Sequence, residues 1–516
     1  MKFLSQTARD MGPRFRLAVA VLGGATLTLA FPPLLAPGLH AWPAYAAWLG
    51  LLPLLWLSWG QERDQALRSG FLFGFTFFAI SLFYIHHVRP MGPSAIPAWL
   101  ALSAWCALFP MAFAGIVSEG SRRTWAAPLL WMPAAWTLTE YLREHLLTGY
   151  PWASLGSSQW SNAALLPLVG VCGPAGLHFA VALGNAILFA VLLRQELALG
   201  WARWSQALLA CALLIGLLQL AKARAPYPDL SRPAVNVAVI QGNVDQDQPW
   251  TPDYRRQVMQ TYFGLMDQAR AAGASVFLWP ESAFPAIFNL EPAEAGMLKA
   301  YASAHRVEIL AGAPWELQLP QGIGYENASV LVRPEGPVER YAKRHLVLFG
   351  EAVPFREQIP LLDLALERLG LGRFVAGRSA ARFDFQGLRC APLICFESIF
   401  SSLAREGAPY DLLAVVTLDT WFGRSVAPYH HASQACLRAV ENGAWVARAA
   451  ATGVSCFVDP SGRMTQTLPL EKPGYLVQSI QPMQGETLFH RFGDWFYGFC
   501  LLLLGLCIVW PRKSQQ

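Results

Sequence analysis

The sequence predicts a membrane-embedded α-helical bundle of eight transmembrane helices joined to an α/β layered domain. Three observations carry this. Of 516 residues, 54% are hydrophobic and only 14% charged, against about 25% charged in soluble proteins. Eight apolar runs approach the spanning length of about 20 residues. Between 222 and 488 the pattern changes to apolar strands, polar helices and Pro/Gly turns, as in α/β domains. The chain therefore divides into a seven-helix region (1–221), an α/β domain (222–488), and a last helix with its tail (489–516).

The runs lie at about 17–36, 42–59, 69–88, 96–118, 124–141, 164–193, 204–221 and 490–510. The first is too long for a signal-peptide core, and no small-residue cleavage site closes it, so it reads as a first transmembrane helix. The sixth contains Gly170, Gly173, Pro174 and Gly176, which predicts a break or an interfacial start. Basic residues set the orientation. With the N-terminus inside, twelve Lys/Arg, among them Arg14, Arg63, Arg122 and Lys513, fall inside, while only Arg89 and Arg143 fall in the opposite short loops. Seven helices then place the α/β domain on the far side, in a bacterium the periplasm, and the eighth returns the tail. This is a multi-pass protein of the inner membrane. The net charge of +5 is scattered and follows membrane topology, so no nucleic-acid partner is expected.

Within the α/β domain, 235–240 (VNVAVI) reads as a buried strand, 253–272 as a helix and 275–279 (SVFLW) as a second strand. A helix over 292–305 precedes a strand at 307–312. Further strands fall at 328–333, 388–395, 411–418, 445–449 and 455–458. A helix over 430–441 ends at Asn442-Gly443, a good stop pair.

Nine cysteines are present. Cys106, Cys172, Cys211, Cys500 and Cys507 lie in apolar segments as small hydrophobes. Cys390, Cys395, Cys436 and Cys456 lie in the α/β domain. No Cys-x-x-Cys and no Cys/His cluster has metal spacing, so neither a metal nor another cofactor is expected. Cys390 and Cys395, five apart along one strand, should face opposite sides and not bridge.

Three motifs each put a reactive residue just past a strand, where α/β folds build their sites. Phe277-Leu278-Trp279-Pro280-Glu281-Ser282 presents a carboxylate. Tyr341-Ala342-Lys343-Arg344-His345-Leu346 presents an ammonium and runs into Phe349-Gly350-Glu351. Leu393-Ile394-Cys395-Phe396-Glu397-Ser398 presents a thiol and a carboxylate. A free thiol is mostly protonated at neutral pH. A neighbouring carboxylate can take its proton, the thiolate can attack an acyl carbon, and an ammonium can stabilise the resulting oxyanion. Taken singly the motifs are weak: position alone favours a core role for Cys395, a turn for Glu281 and a solvated cation for Lys343.

Together, and in this order, they resemble the nitrilase superfamily over 235–459, which implies an α-β-β-α sandwich with a Glu-Lys-Cys triad. The helices before and after resemble the bacterial apolipoprotein N-acyltransferases over essentially the whole chain. Gln241-Gly242-Asn243, Phe349-Gly350-Glu351-Ala352-Val353-Pro354, Trp421-Phe422-Gly423 and Thr148-Gly149-Tyr150-Pro151-Trp152 match as well. The resemblance implies that Glu281 is the general base, Lys343 the oxyanion-stabilising cation and Cys395 the nucleophile, with Glu351 as a supporting second glutamate. Asn327, Phe396 and Glu397 match positions that shape the site, and Trp250 and Trp152 match candidate substrate contacts. Two positions depart from the pattern. Leu418-Asp419 stands where many members have Asn-Asp, and Phe396 where some have Tyr.

The reaction so implied moves an acyl chain from the sn-1 ester of a phospholipid, through a Cys395 thioester, to the N-terminal amine of a diacylglyceryl apolipoprotein. A monomer needing no cofactor is expected. Two other readings share parts of the pattern. A membrane-tethered amidase would pass the acyl group to water but gives no reason for eight helices. A transporter would carry ionisable residues within its spans, where Glu140 is the main candidate. His430-His431, and Gln434, Arg438 and Glu441 on one helical face, read as structural. The stretch 360–373 reads as a candidate lid.

Overall fold

The structure, a computed structural model, describes residues 12–32, 38, 42–123, 127–192, 201–246, 248–320, 322–348, 350–353, 356, 373–406 and 409–509. The candidate lid at 360–373 lies, but for its last residue, outside the described residues. The chain forms two compact units. One holds Met1–Ala225, Ser425–Ser433 and Thr487–Gln516; the other holds Pro226–Arg424 and Gln434–Glu486.

In the helical unit, each apolar run carries helix. α1 is Pro13–Leu27, α2 Leu52–Ser58, α3 Arg63–Ser81, α4 Ala95–Arg122, α5 Pro128–His145, α6 Pro174–Leu192 and α7 Trp201–Ala223; Trp495–Val509 closes the chain. Proline at the first or second position opens α1, α2 and α5, where its missing N–H costs nothing. The sixth run breaks where expected: a short helix, Val169–Cys172, stops at Gly173, whose φ is +62°, before α6 begins. Among the described residues, four helices are long and apolar enough to cross a membrane: Arg63–His87, Gly92–Arg122, Pro174–Leu192 and Ser205–Ala223. Ala44–Ser58 and Trp495–Val509 are shorter apolar helices. The described residues thus support a helical region with four such helices.

The closing helix joins the core of α5 and α6 through Phe496 and Cys500 packed with Ala134, Phe179 and Leu183. Trp495 Nε1 donates to the Val171 carbonyl at 2.7 Å. Glu140 is neither free nor a lone buried charge. Its carboxylate pairs with Arg143 at 2.5 Å and accepts from the Leu155 N–H at 3.1 Å. Arg143 also donates to the carbonyls of Tyr150 and Trp152. This pair staples the loop after α5 to the helix, a structural use that leaves little for transport.

The second unit contains fourteen short or medium strands among its described residues. They are β1 Tyr227–Pro228, β2 Val235–Gln241, β3 Val276–Leu278, β4 Glu308–Leu319, β5 Gly322–Val332, β6 Glu339–Ala342 and β7 Phe383–Phe385, then β8 Leu388–Ile394, β9 Leu412–Thr417, β10 Trp445–Ala450, β11 Ser455–Val458, β12 Met464–Leu468, β13 Gly474–Ile480 and β14 Met483–Gln484. Two six-stranded sheets result, ordered β13-β2-β3-β4-β5-β6 and β12-β11-β10-β9-β8-β7. Strand alternation builds the layers. Val235, Val237 and Val239 of β2 share one core with Leu388, Cys390, Leu412, Ala414 and Phe457 of the other sheet. Ala238 and Ile240 point the other way, onto Val258, Met259, Tyr262 and Leu298 from helices α8 (Pro252–Ala271) and α9 (Pro292–His305). Helix α10, Ala427–Asn442, links the parallel neighbours β9 and β10, as a crossover must.

Most expected elements appear within one to three residues. The exception is the hairpin β4–β5, which pairs Ile309 with Val332 through Leu319 with Gly322 and extends well beyond both expected strands. Gly312, Pro314, Gly322 and Gly324 hide it, because these residues weaken local strand preference and only the partner strand overrides them.

Candidate active site

Three strand exits converge. β3 ends at Leu278, and Pro280, lacking an N–H, cannot continue the ladder. The Trp279 N–H still bonds the Leu310 carbonyl at 2.8 Å, and the Gly312 N–H bonds the Pro280 carbonyl at 3.2 Å. A Cβ at Gly312 would stand 2.3 Å from the Pro280 oxygen and 2.5 Å from Glu281 Cα, so only glycine lets β4 come this close. The result is a Glu281 that is 4% exposed and fixed from behind.

β6 delivers Lys343, whose N–H donates to the Asn327 carbonyl on β5 at 2.8 Å. Its Nζ reaches Glu281 Oε1 at 3.4 Å and Glu351 Oε1 at 2.9 Å. Asn327 uses both hydrogens of its Nδ2, one to Glu281 Oε1 at 2.7 Å and one to Glu351 Oε1 at 2.8 Å. The remaining carboxylate oxygens are held by main-chain N–H groups. Leu418 donates to Glu281 Oε2 at 2.7 Å, and Val347 to Glu351 Oε2 at 2.9 Å. Two carboxylates, one ammonium and one amide thus form a single buried network. The bond from position 418 is a main-chain bond, so a leucine side chain there leaves it intact.

β8 ends at Ile394, and Cys395 opens a short helical turn, Cys395–Ile399, with φ at +53°. A non-glycine residue in this region costs roughly 1–3 kcal/mol and persists only when its surroundings enforce it. Glu397 supplies the enforcement. Its buried carboxylate accepts from the N–H groups of Ile394 (2.8 Å), Arg344 (2.7 Å) and His345 (3.1 Å), and from the Tyr341 hydroxyl (2.9 Å). It therefore acts as a brace tying the Lys343 loop to the Cys395 turn. Tyr341 and these N–H donors were missed from the sequence, although Tyr341 stands in the quoted motif. The left-handed turn also removes Cys395 from strand alternation one residue past β8. The rule that sets Cys390 and Cys395 on opposite faces thus does not reach Cys395, which packs against the same inter-sheet core as Cys390. All nine cysteines are free.

Electrostatics assign the resting states. Burial alone would pull Lys343 down, but the flanking Glu281 and Glu351 carboxylates outweigh it and hold the ammonium above the ordinary lysine value. Cys395 as a residue is half-buried, yet its sulfur is desolvated. Burial pushes the thiol up, the Glu281 charge pushes it further, and Lys343 opposes both. A neutral thiol beside a carboxylate and a fixed cation is arranged to ionise only as a base takes its proton.

The other expected residues fall around this centre or apart from it. Phe396 is half-buried and packs edge-on against Phe400 (5.3 Å between ring centres) and beside His345 (5.8 Å). Trp250 packs on Tyr254 at 5.6 Å. Trp152 belongs to the helical unit, is 2% exposed, and stacks on His430. His430 and His431 are both buried, and His430 also stacks on Phe31, a packing role. Arg438 pairs with Glu441 and donates to the Ile399 carbonyl. Among the described residues no three His, Cys, Asp or Glu side chains gather as metal ligands.

Known proteins match both parts of the chain. Residues 23–187 match the apolipoprotein N-acyltransferase N-terminal domain, and 236–487 match the carbon-nitrogen hydrolase domain. The apolipoprotein N-acyltransferase of Geobacter metallireducens is 34% identical, covering 98% of this chain and 97% of its own. That of Methylococcus capsulatus is 34% identical over 97% of both chains, and that of Vibrio vulnificus 32% over 97% of both. Among solved structures, a CN-hydrolase superfamily protein from Xanthomonas campestris aligns with 55% of this chain and all of its own, at 18% identity and a TM-score of 0.36.

Proposed function

Since the chain belongs to the apolipoprotein N-acyltransferase family, we propose that Glu281, Lys343 and Cys395 are the triad by which it acylates its substrate. The protein is an acyltransferase of the carbon-nitrogen hydrolase superfamily that N-acylates apolipoproteins. The observation that carries the triad is the buried Glu281–Asn327–Lys343–Glu351 network beside a thiol whose ionisation both Glu281 and Lys343 influence.

In the first half-reaction, Glu281 takes the thiol proton as the sulfur attacks the sn-1 ester carbon of a phospholipid. Lys343 donates to the oxygen that becomes negative. The ester C–O bond breaks, Glu281 returns the proton to the departing lysophospholipid, and the acyl chain stays on Cys395 as a thioester. In the second half, the N-terminal amine of the diacylglyceryl apolipoprotein attacks the thioester. Glu281 takes the amine proton, the C–S bond breaks as the amide forms, and Glu281 passes that proton to the departing sulfur, which restores the thiol and the carboxylate. Glu351 and Asn327 hold Lys343 and Glu281 in register, Glu397 braces the nucleophile's turn, and Phe396 and Trp250 frame the acyl chain. No dissociable cofactor enters any step.

The same reading extends to the whole chain. It has eight spans, with 1–221 and 489–516 in the inner membrane and 222–488 in the periplasm as the catalytic domain, and it acts as a monomer. Lipid substrates that do not leave the bilayer give the helices their purpose. Initial velocities measured while both substrates vary are expected to give parallel lines, because the first product leaves before the second substrate binds. Intersecting lines would sink the two-step mechanism. Free fatty acid as the main product would favour hydrolysis instead.

A further inference from the structure

The register of the second sheet sets Thr417 beside the nucleophile. β8 and β9 run parallel with Ile394 opposite Val416, so the next residues, Cys395 just past β8 and Thr417 at the end of β9, are neighbours. Thr417 is fully buried. Its hydroxyl hydrogen-bonds the Cys395 side chain and also lies 3.1 Å from Asp419 Oδ1. Asp419 in turn binds Arg448 Nη2 at 2.8 Å, and Arg448 Nη1 donates to the Val454 carbonyl at 2.6 Å. Each of the two charged residues is 1% exposed. Gly453 seals the pocket: a Cβ there would stand 2.1 Å from Asp419 Oδ2.

A hydroxyl carries a single hydrogen. While the thiol is neutral, that hydrogen can rest on Asp419, and the thiol can donate to the Thr417 oxygen. A thiolate can only accept, so on ionisation the hydrogen must turn to sulfur or the buried negative charge goes without this donor. Asp419 then loses one bond but keeps Arg448, which also offsets a carboxylate charge that would otherwise oppose the thiolate.

We infer that Thr417 is a further catalytic residue: its hydroxyl turns from Asp419 to the Cys395 sulfur as the thiolate forms, with Asp419 and Arg448 as its positioning residues. The inference rests on the acyl-transfer reading above. The donor serves twice in that reaction, once as sulfur gives up its proton to Glu281 and again as sulfur leaves the thioester with its electron pair. Segment 417–419 thereby links both partners of the proton transfer. The Thr417 side chain serves the nucleophile, and the Leu418 N–H serves the base.

The test uses full-length protein in detergent with Thr417→Val and Thr417→Ser. Valine keeps the shape and loses the hydroxyl; serine keeps the hydroxyl and loses the methyl. Two rates are read at fixed pH. One is single-turnover acylation by phospholipid; the other is iodoacetamide alkylation of Cys395, followed on its peptide by mass spectrometry. A hydrogen bond to a charged group is worth about ten- to a hundredfold in such an equilibrium. Valine should therefore slow both rates by that factor without changing the lipid KM, and serine should stay near wild type. Wild-type rates in the valine variant, or equal losses in both, would overturn the inference. If valine does not fold, Thr417→Ala against Thr417→Ser isolates the hydroxyl in the same way. An acyl adduct absent from wild type would defeat the acyl-transfer reading instead, while the alkylation rates would still decide the hydrogen bond.

Discussion

Glu281→Gln is expected to cut acylation of Cys395 by about a hundred- to ten-thousandfold while making the thiol easier to alkylate. Glutamine keeps the shape, but its one oxygen can accept from only one of the two donors that hold separate Glu281 oxygens, Leu418 on Oε2 and Asn327 on Oε1, and it cannot take the thiol proton. The carboxylate charge of Glu281 also pushes the Cys395 thiol up. Removing that charge leaves Lys343 to draw the thiol down, so the thiolate fraction at a given pH rises. Acyl transfer and simple alkylation should therefore move in opposite directions. Single-turnover acylation and iodoacetamide alkylation, measured on the same preparation, check this. A parallel fall in both would mean that the substitution had only disturbed the site.

Lys343→Met is expected to cost at least about a hundred- to a thousandfold, the loss typical of one oxyanion donor. The cost should exceed that of a single donor, because Glu281 and Glu351 share Asn327 and are both bonded to the ammonium. Without the cation two buried carboxylates face each other with no counter-charge between them. Arginine should not rescue the loss, since a planar guanidinium cannot fit where a compact ammonium bridges two carboxylates at 2.9 and 3.4 Å. The loss should fall on kcat, because the donor acts on charge formed in the transition state. Lys343 stays protonated above the ordinary lysine value, so any fall in activity at alkaline pH comes from another group. A loss confined to KM would argue against this role.

Much of this site was legible in the sequence because Glu281 follows a proline-stopped strand and Cys395 closes an apolar run, while Lys343, after the polar strand β6, was legible only through its motif. Glu281 follows Pro280, Lys343 follows β6, and Cys395 follows Ile394. The bonds that hold them were less legible. The Leu418 N–H is a main-chain group and has no letter of its own. The brace at Glu397 depends on residues 341–345 meeting residues 394–397, a closure that neither segment announces. The Thr417–Asp419–Arg448 chain spans adjacent parallel strands, and only their register reveals it. In the fold, the hairpin β4–β5 was partly hidden by its glycines and Pro314. The helical runs were readable from apolar length, but their ends shifted with prolines such as Pro128, which starts α5 four residues into the expected span.

In the proposed reaction Cys395 carries the acyl chain between the two lipids. Intact-mass measurement of the full-length protein after incubation with phospholipid alone tests it most directly. The expected result is an added acyl mass in the wild type, released by hydroxylamine and absent from Cys395→Ala. A wild-type preparation that transfers acyl chains yet never carries such an adduct, or an adduct that survives Cys395→Ala, would contradict it.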